Sequence, residues 1–226
     1  MKKIIISGVC AAVFGTTFFA DNSMAETLGN NTNQGIRAAS ARTSSFIDVP
    51  QSHWAYKEIK YMVDHNIMLG YGNGYFGATD KVTREQLAAF LYRTVKVSDY
   101  DMSKPLPFND INDSMFKKEI VAGYHDGLFY YAADGRFNPK RILTRAELAQ
   151  AFNNAFWLKK KSDHQFNDMQ GHWANEAVKT LYSNGITSGV GNNNFDPNGT
   201  VTREQLAAFL YRAIPVSSRT LRDSAK

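Results

Sequence analysis

One twelve-residue segment occurs twice in this chain, and a looser copy lies between the two. The segment VTREQLAAFLYR stands at Val82–Arg93 and again at Val201–Arg212, and LTRAELAQAFN stands at Leu143–Asn153. The threonines of successive copies are 61 and 58 residues apart. A period of this size is typical of repeat proteins, whose units bury their cores against one another. The sequence therefore predicts three units of one design.

Each copy has the pattern of a helix N-terminus. A threonine stands where its hydroxyl can accept a bond from an orphan backbone N–H, and Gln or Glu follows three residues later, as in a capping box. Apolar residues then recur at i, i+3 and i+4, which predicts one buried helix face. The predicted capping pairs are Thr83 with Gln86, Thr144 with Glu147 and Thr202 with Gln205; the predicted stripes are Leu87, Phe90, Leu91 and Leu206, Phe209, Leu210.

An arginine follows the threonine in every copy, at Arg84, Arg145 and Arg203. The first turn of a helix is the place where the helix dipole disfavours a cation. Helix stability therefore does not explain these arginines, and we expect that removing one has little effect on folding. A ligand is one explanation. An exposed or inter-unit salt bridge is the other, with Glu85 and Glu204 close in sequence as partners.

Each unit opens on Phe-x-Asp and continues with a predicted first helix, a loop rich in Gly, Asn and aromatic residues, and the capped second helix. The Asp is expected to cap the turn before the first helix. Ile67, Leu128 and Ile186 each lie 16 residues before the next threonine, so the loop has one fixed design. We predict a mainly α fold of three helix-loop-helix repeats packed as one body. The predicted repeats are residues 46–95, 108–156 and 166–214.

The first 25 residues have the pattern of an export signal. Two lysines precede the apolar stretch Ile4–Ala20, and small residues at Ser23-Met24-Ala25 mark a cleavage site. A membrane anchor is the alternative. The only cysteine, Cys10, lies inside this segment, so the mature chain would lack disulfides, as fits the outside of a Gram-positive cell. We predict a signal peptide over residues 1–25, a flexible linker over 26–45 and a disordered tail over 215–226.

Composition excludes several classes of partner. The net charge of +5 is spread along the chain, so nucleic acid is not an expected partner. The hydrophobic fraction of 43% is ample for a packed core. No pair of histidines has the spacing of metal ligands on one face. We therefore expect neither a metal nor a cofactor; the histidines considered are His53, His65, His125, His164 and His172.

The motifs Phe-x-Asp, His-Trp, the glycine loop and Thr-Arg-Ala/Glu-Glu/Gln occur in register, and with them the chain resembles three tandem S-layer homology domains. The resemblance implies a pseudo-threefold bundle and a secreted protein at the cell wall or S-layer. It implies non-covalent anchoring through grooves between the domains, which bind a pyruvylated secondary cell wall polymer linked to peptidoglycan. No membrane contact is expected after signal cleavage.

The resemblance also implies the candidate site residues. An arginine can hold a ketal carboxylate with two parallel bonds, and a helix N-terminus would add backbone donors. The tryptophans are expected either to stack on sugar or to pack in the core. The glycines allow close approach of the backbone, or serve ordinary turns. The full ligand-binding set is Arg84, Arg145, Arg203, Asp48, Asp110, Asp168, Trp54, Trp173, Gly70 and Gly189.

The middle repeat departs from this pattern. Ser114-Met115 replaces His-Trp, and Tyr131-Ala132-Ala133 replaces Gly-x-Gly. The second repeat therefore keeps its arginine and lacks an aromatic platform of its own. The pairing of arginines with tryptophans in shared grooves does not follow from the sequence.

Three other functions are compatible with these motifs. The chain could occupy polymer sites without tethering anything and so modulate the attachment of S-layer proteins. It could be a protein–protein interaction module with S-layer proteins as partners. An enzyme would need acid/base carboxylates within the repeats. Asp48, Asp110 and Asp168 are more simply turn residues, so we do not expect enzymatic activity.

Overall fold

A computed structural model describes residues 45–95, 97, 104–129, 135–163 and 165–215. The predicted signal peptide, the linker before residue 45 and the tail from residue 216 lie outside the described residues. Over the described ranges the chain forms six α-helices, one short 3-10 helix at Asn167–Met169 and no β-strand, which confirms the mainly α fold. The helices are α1 (Tyr56–Asp64), α2 (Arg84–Thr94), α3 (Lys117–His125), α4 (Arg145–Phe156), α5 (Asn175–Ser183) and α6 (Arg203–Ala213).

The capping boxes form as the sequence predicts. At the start of α2, the Thr83 hydroxyl accepts a bond from the backbone N–H of Gln86, and the Gln86 side chain accepts one from Thr83 N–H. The same reciprocal pair begins α4 and α6. The predicted apolar stripes of α2 and α6 are buried. These three helices therefore begin where their sequences indicate.

None of the helices in the described ranges is long and apolar enough to span a membrane.

The first helix of each repeat packs against the second helix of a neighbouring repeat. Helix α3 lies against α2, α5 lies against α4, and α1 lies against α6. Because the first repeat pairs with the third, the sequence of contacts closes into a ring. A ring of three equivalent contacts has the pseudo-threefold arrangement that the resemblance implies.

The residue before each capping threonine takes part in a second ring, made of backbone hydrogen bonds. Val82 N–H donates to the Val201 carbonyl at 2.9 Å, Val201 donates to Leu143 at 3.3 Å, and Leu143 donates to Val82 at 2.8 Å. All three residues are buried. Each repeat therefore completes the hydrogen bonding of the other two, as buried backbone groups require.

The core is shared among the repeats rather than divided into three. One continuous cluster of buried side chains contains residues from all three repeats, including Ile59, Leu87, Leu148, Val178 and Leu206. A smaller cluster around Phe108, Ile111 and Ile120 belongs mainly to the second repeat. This sharing is expected where single repeats are too small to bury a core alone.

Candidate ligand-binding grooves

The three motif aspartates hold the long loop of their own repeat. The Asp48 carboxylate accepts bonds from the backbone N–H groups of Phe76, Gly77 and Ala78 at 2.8, 2.7 and 2.9 Å. In the other repeats the corresponding pairs are Asp110 with Phe137 and Asn138, and Asp168 with Phe195 and Asp196. The expected capping of the turn before the first helix is therefore wrong. The carboxylates bind a segment nearly 30 residues further along the chain, which explains the fixed loop length.

The pH dependence of stability follows from Asp48. Burial alone would raise the pKa of this carboxyl, but the backbone N–H donors outweigh it and hold the pKa below its ordinary value. Such a carboxylate contributes stability that is present above its unfolded pKa of about 3.9 and lost as the pH falls through the folded value. We expect Asp48→Asn to lower the free energy of unfolding by about 2 kcal/mol at neutral pH. The deficit should shrink near pH 3. Urea unfolding at both pH values measures it, and an equal deficit at both would contradict the assignment.

The loop held by each aspartate receives the arginine of another repeat. Arg203 Nε donates to the Phe76 carbonyl at 3.1 Å, and its guanidinium lies 4.6 Å from the centre of the Phe76 ring. The same contacts join Arg84 to Phe137 and Arg145 to Phe195, with Nε bonds of 2.6 and 2.7 Å. The three arginines are only 9, 5 and 3% exposed at Arg84, Arg145 and Arg203. They connect the repeats, so the expectation that they matter little to folding is wrong.

The backbone donors at the helix N-termini are already used. Arg84 N–H donates to the Arg141 carbonyl and Glu85 N–H to the Pro139 carbonyl, both at 3.0 Å. Helices α4 and α6 donate in the same way to carbonyls of the third and first repeats. The third N–H of each helix donates to the capping threonine. A ligand carboxylate therefore finds no free N–H there, and side chains must bind it.

One groove brings together Trp54 of the first repeat, Arg145 of the second and the loop of the third. Its volume is about 370 Å³, and the described residues that line it include Ser188, Gly189, Gln205 and Arg212 but no carboxylate. Trp54 is 57% exposed, so the core-packing alternative for this residue is wrong. Gly189 has φ of +85°, and a Cβ there would collide with the Asn194 carbonyl and the Phe166 ring.

Arg145 is the least engaged of the three arginines. Among the described residues its only side-chain hydrogen bond runs from Nε to the Phe195 carbonyl, so its terminal nitrogens are open to another acceptor. Burial lowers the pKa of its guanidinium, while Asp196 and Asp168 act in the opposite direction. An arginine remains charged at neutral pH despite such a shift. Nearby, the Gln205 oxygen accepts from Thr202 N–H, which leaves its amide nitrogen as a second donor.

The second groove contains Trp173 of the third repeat and Arg84 of the first. Trp173 is 61% exposed, which again excludes core packing. The volume is only about 40 Å³, and Glu147 lies in the lining. A terminal nitrogen of Arg84 is 2.6 Å from Glu147 Oε1, and Arg141 binds the same oxygen. Arg84 thus forms an ion pair with a carboxylate of the protein, whereas no described carboxylate pairs with Arg145. The predicted salt-bridge alternative occurs here, with Glu147 rather than Glu85.

By the pseudo-threefold symmetry of the ring, the residues that correspond to the tryptophan and the arginine at the third position are Met115 and Arg203. Met115 is 79% exposed where the other repeats have tryptophan. Arg203 donates a second bond, to the Leu69 carbonyl at 2.7 Å, and the Tyr71 ring centre lies 5.0 Å from its guanidinium. Tyr71 is itself held by a 2.7 Å bond to Asp80. Arg203 is therefore occupied by the protein. Gly70 lies beside this region for a packing reason, because a Cβ would collide with the Phe46 ring.

The histidines before the tryptophans have a structural role. Nδ1 of His53 accepts from Ala55 N–H at 3.1 Å, and Nδ1 of His172 accepts from Ala174 N–H at 3.2 Å. In the second repeat Ser114 Oγ accepts from Phe116 N–H at 3.1 Å, so serine replaces histidine without loss of this bond. Within the described ranges no group of His, Cys, Asp and Glu side chains is arranged to hold a metal ion.

Four residues that line or cover the grooves do not follow from the sequence: Gln205, Arg212, Glu147 and Tyr71. The sequence indicates Gln205 and Glu147 only as capping residues. Their second role depends on which repeat follows which around the ring, and a repeat alignment alone does not contain that order. Arg212 had a signal, because it ends the repeated twelve-residue segment, but Trp54 and Arg145, which line the groove with it, lie on other repeats.

Comparison with known proteins agrees with the geometry. The family model described as S-layer homology domain matches residues 45–88, 107–149 and 165–207. An S-layer protein of Bacillus licheniformis is 30% identical over 77% of this chain and 20% of its own length. The S-layer protein EA1 of Bacillus anthracis is 28% identical, with the same two coverages. An uncharacterized cell wall amidase of Bacillus anthracis is 28% identical over 75% of this chain and 32% of its own length.

This chain therefore corresponds to about one fifth of the two S-layer relatives and one third of the amidase. The expected location at the cell surface agrees with the S-layer relatives. The three family matches cover more than half of the chain and coincide with the three repeats of the ring. The chain belongs to the S-layer homology domain family.

Proposed function

We propose that this chain is a non-covalent cell-wall anchor that binds pyruvylated secondary cell wall polymer through the groove between Trp54 and Arg145. The observation that carries the proposal is the meeting of an exposed indole and a guanidinium from different repeats in a groove where no described residue supplies a carboxylate. A sugar ring offers an apolar face to an indole. A ketal carboxylate offers two acceptor oxygens to a guanidinium. One pyruvylated sugar satisfies both.

The size and charge of the groove support this ligand class. A volume of about 370 Å³ lies within the range of about 300–1,000 Å³ that is usual for small-ligand sites. Arg145, Arg212 and the Gln205 amide all supply donors, so the groove suits an anion better than a neutral sugar. Arg212 donates one bond to the Ile186 carbonyl at 3.2 Å, which fixes its position.

The aspartates do not support a catalytic function. Their carboxylate oxygens accept backbone N–H bonds that hold the loops, so they are not placed as a free acid and base. We therefore propose binding and not catalysis. A role in occupying polymer sites and limiting S-layer protein attachment uses the same groove, and it differs from anchoring only in what else the protein carries.

The test is a pull-down on purified Gram-positive walls that carry the polymer. We expect the protein to sediment with untreated walls and to remain in solution with walls from which the pyruvate ketal has been removed by mild acid. Sugar analysis of the treated walls checks that the polymer itself is still attached, since acid can also release it. Equal sedimentation with both would contradict the proposal. Binding to S-layer protein but not to bare walls would instead support the interaction-module alternative.

A further inference from the structure

One position of the capping box differs between the repeats in a way that capping does not require. The third residue of the helix is Gln86 in α2, Glu147 in α4 and Gln205 in α6. All three accept the threonine N–H bond, at 3.0, 3.0 and 3.1 Å. The other polar atom at the end of the side chain, which does not take part in capping, differs between glutamate and glutamine. Glu147 keeps a second acceptor oxygen, and the two glutamines keep an N–H donor.

In the first and second grooves this side chain lines the same cavity as the arginine of another repeat. In the second groove, Glu147 Oε1 binds Arg84 at 2.6 Å and also binds Arg141. In the first groove, Gln205 lines the same cavity as Arg145 and carries no charge that could pair with it, and its one side-chain oxygen already accepts the Thr202 N–H bond. The groove with the glutamate has a volume of about 40 Å³, and the groove with the glutamine has about 370 Å³.

We infer that a glutamine at this third helix position keeps the Trp54–Arg145 groove open to a carboxylate, whereas the glutamate and the small volume together close the second groove, so that the chain binds one ligand. The inference rests on the proposed function. Glu147 acts as an internal carboxylate that occupies Arg84, as the ligand carboxylate occupies Arg145. The exposed Trp173 then lies beside a groove whose arginine is already neutralised.

The third groove is excluded by other residues. Arg203 donates to the Phe76 and Leu69 carbonyls, and Tyr71 lies over its guanidinium. Gln86, the third residue of α2, is therefore expected to have no effect on ligand binding. This makes Gln86 a matched control, because it has the same side chain and the same capping bond as Gln205.

The experiment is a calorimetric titration with the methyl glycoside of N-acetylmannosamine carrying a pyruvate ketal. We expect the parent to bind one molecule. Gln205→Glu should weaken binding by about tenfold or more, because a new carboxylate pairs with Arg145. Glu147→Gln should leave the number of bound molecules at one, because glutamine has the same size as glutamate and the second groove keeps its volume of about 40 Å³. The double variant should bind as weakly as Gln205→Glu, and it has the net charge of the parent.

Gln86→Glu makes the same change in charge and capping as Gln205→Glu, and it should leave the affinity within about twofold of the parent. Thermal midpoints check that each variant is folded, since Glu and Gln both occur in these capping boxes. The inference is overturned if Gln205→Glu binds like the parent, or if the parent binds two or three molecules. A parent that gives no binding heat at all overturns the proposed function instead.

Discussion

A chain that ends at residue 163, before the third repeat, is expected to have no cooperative unfolding transition. The loss removes α5 from α4 and α6 from α1, so two of the three helix pairs disappear. Val82 N–H loses the Val201 carbonyl, and Arg145 loses the Phe195 carbonyl. Repeats that share a core are not expected to keep it after one third is removed.

Circular dichroism during heating measures this effect. We expect a broad, non-sigmoidal change for the truncated chain and for residues 46–95 alone. A chain of residues 45–215 keeps all the described contacts and is the control, with a sharp transition. A sharp transition in the isolated first repeat would show that the ring is an assembly of independent domains.

The second large effect is expected at Arg203. The substitution Arg203→Ala should lower the free energy of unfolding by about 3–5 kcal/mol. The reason is that the Phe76 and Leu69 carbonyls of the first repeat lose the hydrogen-bond donor that the third repeat supplies. That loss corresponds to a fall in thermal midpoint of roughly 10 °C for a protein of this size. Burial lowers the pKa of Arg203, but an arginine stays charged at neutral pH, so the bonds persist across the usual range.

Arg145→Ala is the matched comparison, because the residue has the same helix position and the same charge. It should cost less stability, about 1–3 kcal/mol, since only one carbonyl loses a bond. It should weaken binding of the pyruvylated ligand by about tenfold or more. Arg203→Ala, measured below its lowered midpoint, should bind like the parent. Loss of binding in both variants with equal loss of stability would mean that the two arginines have the same role.

Local sequence signals predicted the helices well because local contacts determine them. The box of Thr83 and Gln86 and the stripe of Leu87, Phe90 and Leu91 need only i, i+3 and i+4 neighbours. The 16-residue spacing from Ile67 to Thr83 likewise predicted a shaped loop, although not the Asp48 bonds that hold it.

The grooves could not be predicted because each combines residues from three repeats. Trp54 and Arg145 are far apart in sequence and meet only because the ring closes. The arginines stand at one position of one motif, yet their partners differ. Among the described residues, the Arg145 side chain hydrogen-bonds only to the Phe195 carbonyl, whereas Glu147 pairs with Arg84 and Tyr71 covers Arg203. Identical motifs thus have different binding capacity, which a repeat alignment does not show.

The most direct test of the account is a crystal structure of the protein with the pyruvate-ketal saccharide. We expect the saccharide in a single groove, with its carboxylate within hydrogen-bond distance of the Arg145 terminal nitrogens and its ring against Trp54. The second groove should still contain the Arg84–Glu147 pair. A saccharide carboxylate bound to Arg84 or Arg203, with the Trp54–Arg145 groove empty, would contradict the account.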